Sequence, residues 1–261
     1  MGVQYDGTAW HGYQKQVDGH TVQDQLEMAL EKFARVALAT TCAGRTDTGV
    51  HALEQVVHFD TTLTRDIHAW VRGVNTFLPA SIAVRWACEI EPDPIDQFHA
   101  HFSARARTYH YLLLDDAIAP GLLKAKVGWF HRPLDVKAMH EAAQSLVGQF
   151  DFSAFRDAQC QAKSPVRIVH EAGVARHDSL VVFTIRANAF LHHMVRNVVG
   201  SLVYVGAGRQ PVPWIAELLS QRDRRLAAPT FAPDGLYLSA IEYDPAFGLP
   251  AFRSNPLLPP P

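Results

Sequence analysis

Two lobes of α/β or α+β build are what this sequence predicts, on three observations. Strand–helix–strand order runs through the first hundred residues and recurs in the remainder. A proline-broken acidic stretch, Glu91-Pro92-Asp93-Pro94, separates the two runs. Hydrophobic residues make up 48% of the 261 and charged ones 19%, which supplies apolar surface for two cores of ordinary size.

The elements follow from spacing and caps. Thr21 with Asp24 three residues on starts a helix, and Val22, Leu26, Ala29, Leu30 and Phe33 fall on its inner face. Residues 54–59 read as a strand. Asp66 caps a second helix with Ile67, Trp70, Val74 and Phe77 inward, ended at Leu78-Pro79. Alternation of Ile82, Val84, Trp86, Cys88 and Ile90 with Ala, Arg and Glu gives a half-buried strand. A strand at 103–113 opens the second run. Pro133-Leu134-Asp135 starts a helix with Val136, Met139, Ala143 and Leu146 inward and Gly148 as its stop. A strand over about 180–187 precedes a helix over about 190–205, with Leu191, Val195, Val198, Leu202 and Val205 inward. Pro213 begins another helix and 236–243 is a closing strand. The like outlines of the two halves are consistent with an ancient duplication.

Bulk properties narrow the function classes. No run approaches the roughly 18 uninterrupted apolar residues of a membrane span, and no basic-then-apolar leader follows Met1. The expectation is a globular soluble protein of the cytoplasm. Cys42, Cys88 and Cys160 are odd in number, far apart and without CxxC spacing, which fits reduced thiols. Net charge is −2, yet residues 1–100 carry 7 Lys+Arg against 13 Asp+Glu and residues 101–261 carry 17 against 13. A phosphate-binding surface should therefore draw on the second half, with Arg105, Lys163, Arg167 and Arg186 as candidates.

The most informative stretch is Ala43-Gly44-Arg45-Thr46-Asp47-Thr48-Gly49-Val50-His51-Ala52. Asp47 sits between two glycines, with Arg45 two residues before and His51 four after. Glycine permits special backbone angles and close ligand approach, and arginine pins an anion or stacks on a planar group. The residues alone leave two readings open, a reactive carboxylate presented on a rigid turn or an ordinary Asp-Thr turn.

Two further clusters bear chemistry. Alternation in a strand puts Arg105, Arg107, Tyr109 and Tyr111 on one face, a poor apolar core but a good surface for stacking a base and holding phosphates. On the 190–205 helix, His193, Arg196, Asn197 and Gly200 recur at helical spacing on a second face. His192-His193 does not read as a metal site, because adjacent helical residues diverge by about 100° and no further ligand accompanies them. No Walker lysine, dinucleotide fingerprint or Gly-x-Ser-x-Gly elbow is present.

The Asp47 stretch resembles the signature of the TruA family of tRNA pseudouridine synthases, continuing through Gln55-Val56-Val57-His58-Phe59. Tyr5-Asp6-Gly7-Thr8, Gly12-Tyr13-Gln14-Lys15-Gln16, Phe98-His99-Ala100, Arg107-Thr108-Tyr109, Asp151-Phe152-Ser153-Ala154-Phe155, the run from Asn188 to Asn197, and Gly235-Leu236-Tyr237-Leu238 look like family segments in the family's order. The resemblance covers roughly residues 3 to 243. It implies an α+β fold of two ferredoxin-like or RRM-like lobes joined through a mixed, mainly antiparallel sheet with a cleft between them. Residues 1–94 would carry the Asp loop, 95–245 the tyrosine strand and arginine helix, and 246–261 an extended tail. The family usually has several more residues before Tyr5-Asp6-Gly7, so the first strand, beginning here at Met1, is either cut short or follows a misassigned start.

By resemblance Asp47 is the nucleophile, Tyr109 the tyrosine that stacks on the target uracil, and Arg196 the arginine that pairs with the carboxylate. Arg45, Thr46, Gly49, His51, Arg105, Arg107, Lys163, Arg167, Arg186, His193 and Asn197 are expected to contact substrate. Arg45 is the candidate to fill the space that a flipped base vacates. The implied reaction converts uridine to pseudouridine in the tRNA anticodon stem-loop, about positions 38 to 40, on a flipped-out base. It uses no cofactor and no metal, and the implied assembly is a homodimer with tRNA as partner and no membrane. A non-catalytic RRM-like RNA-binding protein and the same chemistry on a different RNA are the competing readings.

Overall fold

The computed structural model describes residues 1–90 and 97–250, and the expected break at residues 91–94 lies outside them. The chain forms two compact units, one of residues 1–105 with the chain from Leu238 onward, the other of Ala106–Tyr237. Five helices and ten strands are present among the described residues, and the fold is α+β. No helix among them is long and apolar enough to cross a membrane.

The first unit begins with β1 (Gly2–Tyr5), α1 (Val22–Ala34), β2 (Thr41–Cys42), β3 (His51–His58), α2 (Ile67–Asn75) and β4 (Ile82–Trp86). Both β4 and β3 flank β1 antiparallel, and β2 pairs antiparallel with β3. The order β4-β1-β3-β2 with two crossover helices is the ferredoxin-like arrangement that the resemblance implies. Helix α1 starts as its sequence says. The Thr21 hydroxyl donates to the Asp24 carboxylate at 2.6 Å and accepts the Asp24 N–H at 3.2 Å, and Val22, Leu26, Ala29 and Leu30 are buried. Asp66 accepts the N–H groups of His68 and Ala69, while Trp70 and Val74 face inward. Phe77 does not. It follows the C-cap Thr76 and is exposed, because the helical face ends with the helix.

The second unit holds β5 (Ala106–Asp115), β6 (Gly128–Phe130), α3 (Val136–Gln144), β7 (Gly148–Asp151), β8 (Val166–His177), β9 (Leu180–Ala187), α4 (Met194–Gly206) and α5 (Trp214–Gln221). Its strand order is β5-β9-β8-β7, antiparallel throughout, with β6 added parallel to the end of β5. Met139, Leu146, Ile185, Met194 and Leu202 are fully buried in its core. Strand β5 starts at residue 106 rather than 103, since Ser103 closes a turn by bonding the His99 carbonyl. Gly148 does not stop α3. Ser145 caps that helix, and Gly148, at φ 128°, opens β7.

Helix α4 starts at Met194, four residues later than its apolar spacing suggests. His193 sits at φ 60°, outside the right-handed helical region, and Leu191 is buried from a turn ahead of the helix. A last strand, β10 (Leu236–Glu242), carries the chain back into the first unit, where it lies beside β3. A 3₁₀ turn over Pro245–Phe247 follows, and residues 251–261 of the expected tail lie outside the described residues.

One glycine of α4 makes the packing testable. A Cβ on Gly200 would stand 2.3 Å from the Pro229 carbonyl oxygen, whereas one on Gly44 would meet nothing within 4 Å. Gly200→Ala should destabilise the protein by about 1–3 kcal/mol and Gly44→Ala by far less, read as the difference in urea midpoint.

Candidate active site

Asp47 lies in the loop 43–50 that joins β2 to β3, and this loop is tied at Ala43, Gly44, Thr46 and Val50. The Ala43 N–H bonds the Val56 carbonyl at 2.8 Å, which carries the hairpin ladder one residue past β2. The fully buried Gln55 amide accepts the Gly44 N–H at 3.3 Å and donates to the Gly44 carbonyl. Thr46 is buried, its carbonyl accepting the Tyr13 N–H at 3.0 Å and its hydroxyl 2.7 Å from the Tyr5 hydroxyl. Gly12, at φ 86°, lets that approach happen, because a Cβ there would come 2.8 Å from the Thr46 carbonyl. Gly49, at φ 79°, turns the chain so that the Val50 N–H reaches the Asp47 carbonyl at 3.1 Å. Asp47 is left half-buried, with Arg45 exposed beside it in sequence.

His51 was expected to meet substrate, and the structure puts it elsewhere. Its ring is 2% exposed, and Nδ1 accepts the Gly7 N–H at 3.0 Å with an Asp6 carboxylate oxygen at 3.2 Å. It fastens the Tyr5-Asp6-Gly7 segment to the end of the loop. Thr46 is likewise a fastening residue.

In the second unit Tyr109 lies on β5 opposite Ile185, its ring edge-on to Phe190 at 5.0 Å. The face that it shares with Arg107 and Tyr111 is not an open stacking surface. Tyr109 is 8% exposed, Arg107 7% and Tyr111 1%. Each polar end finds a partner in place of water: Arg107 donates to the Asn188 carbonyl at 2.7 Å, and the Tyr111 hydroxyl donates to the Ala232 carbonyl at 2.9 Å. Tyr111 is a core residue, and that burial pushes its phenol well above its ordinary pKa.

Arg196 stands in the first turn of α4, half-buried. Its Nε donates to the Phe231 carbonyl at 2.8 Å, and its own carbonyl accepts the Phe231 N–H at 3.2 Å. His193 is the residue before the helix rather than a member of its face, with Nδ1 2.8 Å from an Asp157 carboxylate oxygen and the His192 ring stacked on it at 3.9 Å. Asn197 was expected to contact substrate and is instead wholly buried. Its Nδ2 donates to the Phe155 carbonyl at 2.8 Å, and its Oδ1 accepts Arg224 at 3.0 Å and Thr230 at 2.7 Å. All its polar capacity within reach is spent on scaffold.

The proposed phosphate cations divide. Lys163 is exposed and Arg186 half-buried on β9. Arg105 belongs to the first unit and is ion-paired with Asp244. Arg167 turns its guanidinium onto the carbonyls of Ser164 and Val166 at 2.9 and 2.6 Å, and burial lowers its pKa. Sequence reasoning missed Asp157 and Arg224. The latter sits in the charge run Arg222-Asp223-Arg224-Arg225, which reads as solvated, yet it donates to Ala227, Ala228, Asn197 and Thr230.

The family described as tRNA pseudouridine synthase matches residues 1–103 and 142–244. The tRNA pseudouridine synthase A of Herminiimonas arsenicoxydans is 61% identical over 250 residues, covering 96% of this chain and 91% of that protein. Those of Janthinobacterium sp. strain Marseille and Bordetella petrii are 60% and 58% identical, covering 96% and 95% of this chain and 93% and 92% of theirs. With both the Asp47 loop and α4 inside the matched residues, the chain belongs to the tRNA pseudouridine synthase family.

Proposed function

We propose that this protein isomerises uridine to pseudouridine in the anticodon stem-loop of tRNA, about positions 38 to 40, with Asp47 as the reacting carboxylate. One observation carries the reading. The loop around Asp47 is held by Gln55, Tyr5, Tyr13 and His51, so the carboxylate is presented on backbone that does not yield. A stem base is reached only when flipped out of its stack, at a cost of roughly a few kcal/mol. Exposed Arg45 is placed in sequence to enter the space left behind.

The reaction breaks the N1–C1′ bond, turns the uracil and joins C5 to C1′. The proton lost from C5 is matched by one gained at N1, so composition is unchanged and no co-substrate enters. Asp47 serves as nucleophile or base at the sugar or the ring. By the family resemblance Tyr109, only 8% exposed, is the tyrosine that meets the uracil, and Arg196 the arginine whose guanidinium pairs with the carboxylate and fixes its direction. Lys163 and Arg186 serve as phosphate contacts that position the RNA without reading sequence. The protein acts in the cytoplasm as a homodimer, one subunit holding the tRNA body while the other performs the chemistry.

Asp47→Asn and Asp47→Ala should lower pseudouridine formation to below about a thousandth of wild type while leaving tRNA affinity within about threefold, since affinity is spread over many cations. Incubation with unmodified tRNA and chemical mapping of pseudouridine checks both the chemistry and the position. Near wild-type turnover in Asp47→Ala removes Asp47 from the reaction.

Arg196→Lys keeps the charge but loses the Nε bond to Phe231 and the planar fork. Its kcat/KM should fall about 10–100-fold, the scale of one lost charged hydrogen bond. Unchanged kcat/KM would take Arg196 out of the site. Light scattering at micromolar concentration should give about twice the chain mass of 29.0 kDa, and an active species at the single-chain mass refutes the dimer.

A further inference from the structure

The segment Phe98–Ser103 has no part in the chemistry above, yet it is among the most firmly tied turns of the first unit. Its two ends bond each other twice: the Ser103 N–H donates to the His99 carbonyl and the His99 N–H to the Ser103 hydroxyl, each at 2.9 Å. His99 Nδ1 accepts the N–H groups of His101 and Phe102, each at 3.1 Å. Ala100 is held on both sides, donating to His58 Nδ1 at 3.1 Å and accepting the Tyr243 hydroxyl at 2.6 Å. His101 then places its Nδ1 3.0 Å from the carbonyl oxygen of Ala43, the first residue of the Asp47 loop.

This arrangement fixes Phe102 in water. Its ring is 80% exposed, backed by His99 at 4.3 Å with planes 30° apart and flanked by His101 at 5.2 Å. Single exposed apolar residues are ordinary on protein surfaces. Phe102 differs in that its backbone has no freedom to withdraw it, a second ring supports it from behind, and its neighbour is bonded to the loop that carries Asp47. Every nucleobase has a π face, and stacking one base on a fixed aromatic ring raises affinity on the order of tenfold to a hundredfold.

We propose that Phe102, backed by His99, is a stacking platform for an unpaired nucleobase of the substrate RNA beside the target uridine. The assignment rests on Asp47 being the reacting residue of an RNA-modifying site. Bonding to the sugar or base being rearranged is not asked of Phe102, so it contributes equally before and during the chemical step and belongs to binding rather than catalysis.

The test uses the whole chain and unmodified tRNA transcript. Phe102→Ala should raise Kd and KM about tenfold with kcat within about twofold of wild type, and Phe102→Trp should restore both. The added indole should be quenched by tRNA beyond the change seen with the five native tryptophans. Unchanged Kd and KM in Phe102→Ala overturns the platform. So does a halved mass in light scattering with tRNA affinity preserved, which would make Phe102 a contact between copies of this chain. A wild-type protein that binds tRNA in a Phe102-dependent way without making pseudouridine upholds the platform and sinks the catalytic reading of Asp47 instead.

Discussion

The buried amide of Gln55 is the contact on which the candidate site depends. A loop of eight residues closing a short hairpin has many conformations, and fixing each residue costs about 1–2 kcal/mol of backbone entropy. Gln55 meets both polar groups of Gly44, so the entrance to the loop is as fixed as the strand that carries the amide. Tyr13 and Tyr5 then fix Thr46 from the opposite direction, and His51 closes the exit through Gly7. A Cβ on Gly7 would stand 1.9 Å from the Val50 carbonyl, so the 3₁₀ turn over Gly7–Ala9 presses directly on the loop. Asp47 thus sits half-buried on a turn fixed at both ends.

A comparable division of labour holds in the second unit. Arg196 is tied to Phe231 by its side chain and its carbonyl, and the segment 227–231 is in turn stapled by Arg224, which also reaches Asn197. Gly200 admits the Pro229 carbonyl against the helix. The direction of one guanidinium is therefore set by a loop more than thirty residues away in sequence.

What the sequence revealed depended on whether the signal was local. The Thr21–Asp24 cap, the Asp66 cap and the limits of β9 were legible because each is decided by residues within a few positions. Strand β8 was not. Its alternation is interrupted by Arg167, His170, Glu171 and Arg176 on a half-exposed surface, and β2 spans two residues, too few for any period. The Asp47 stretch was specific through its family resemblance, its glycines alone leaving an ordinary turn open, and the roles of its neighbours were not legible. His51 and Asn197 look like substrate ligands in one dimension, and only packing shows them buried, with His51 Nδ1 on Gly7 and Asn197 on Phe155, Arg224 and Thr230. Arg107 and Tyr111 mislead for the same reason. Alternation assigns a face, and whether that face is wet is settled by what covers it.

The first unit is discontinuous in the chain, and that has a consequence for synthesis. Residues 106–237 are contiguous, so the second unit holds all its parts once Tyr237 has left the ribosome. The first unit does not, because the edge of β3 is completed by β10, and Arg105 meets Glu242 and Asp244 only from Leu238 onward. The strand next to the Asp47 loop thus spends most of translation with an unpaired edge, open to mispairing with other chains. A chain stalled before β10 presents the Asp47 loop on a sheet that lacks its last strand.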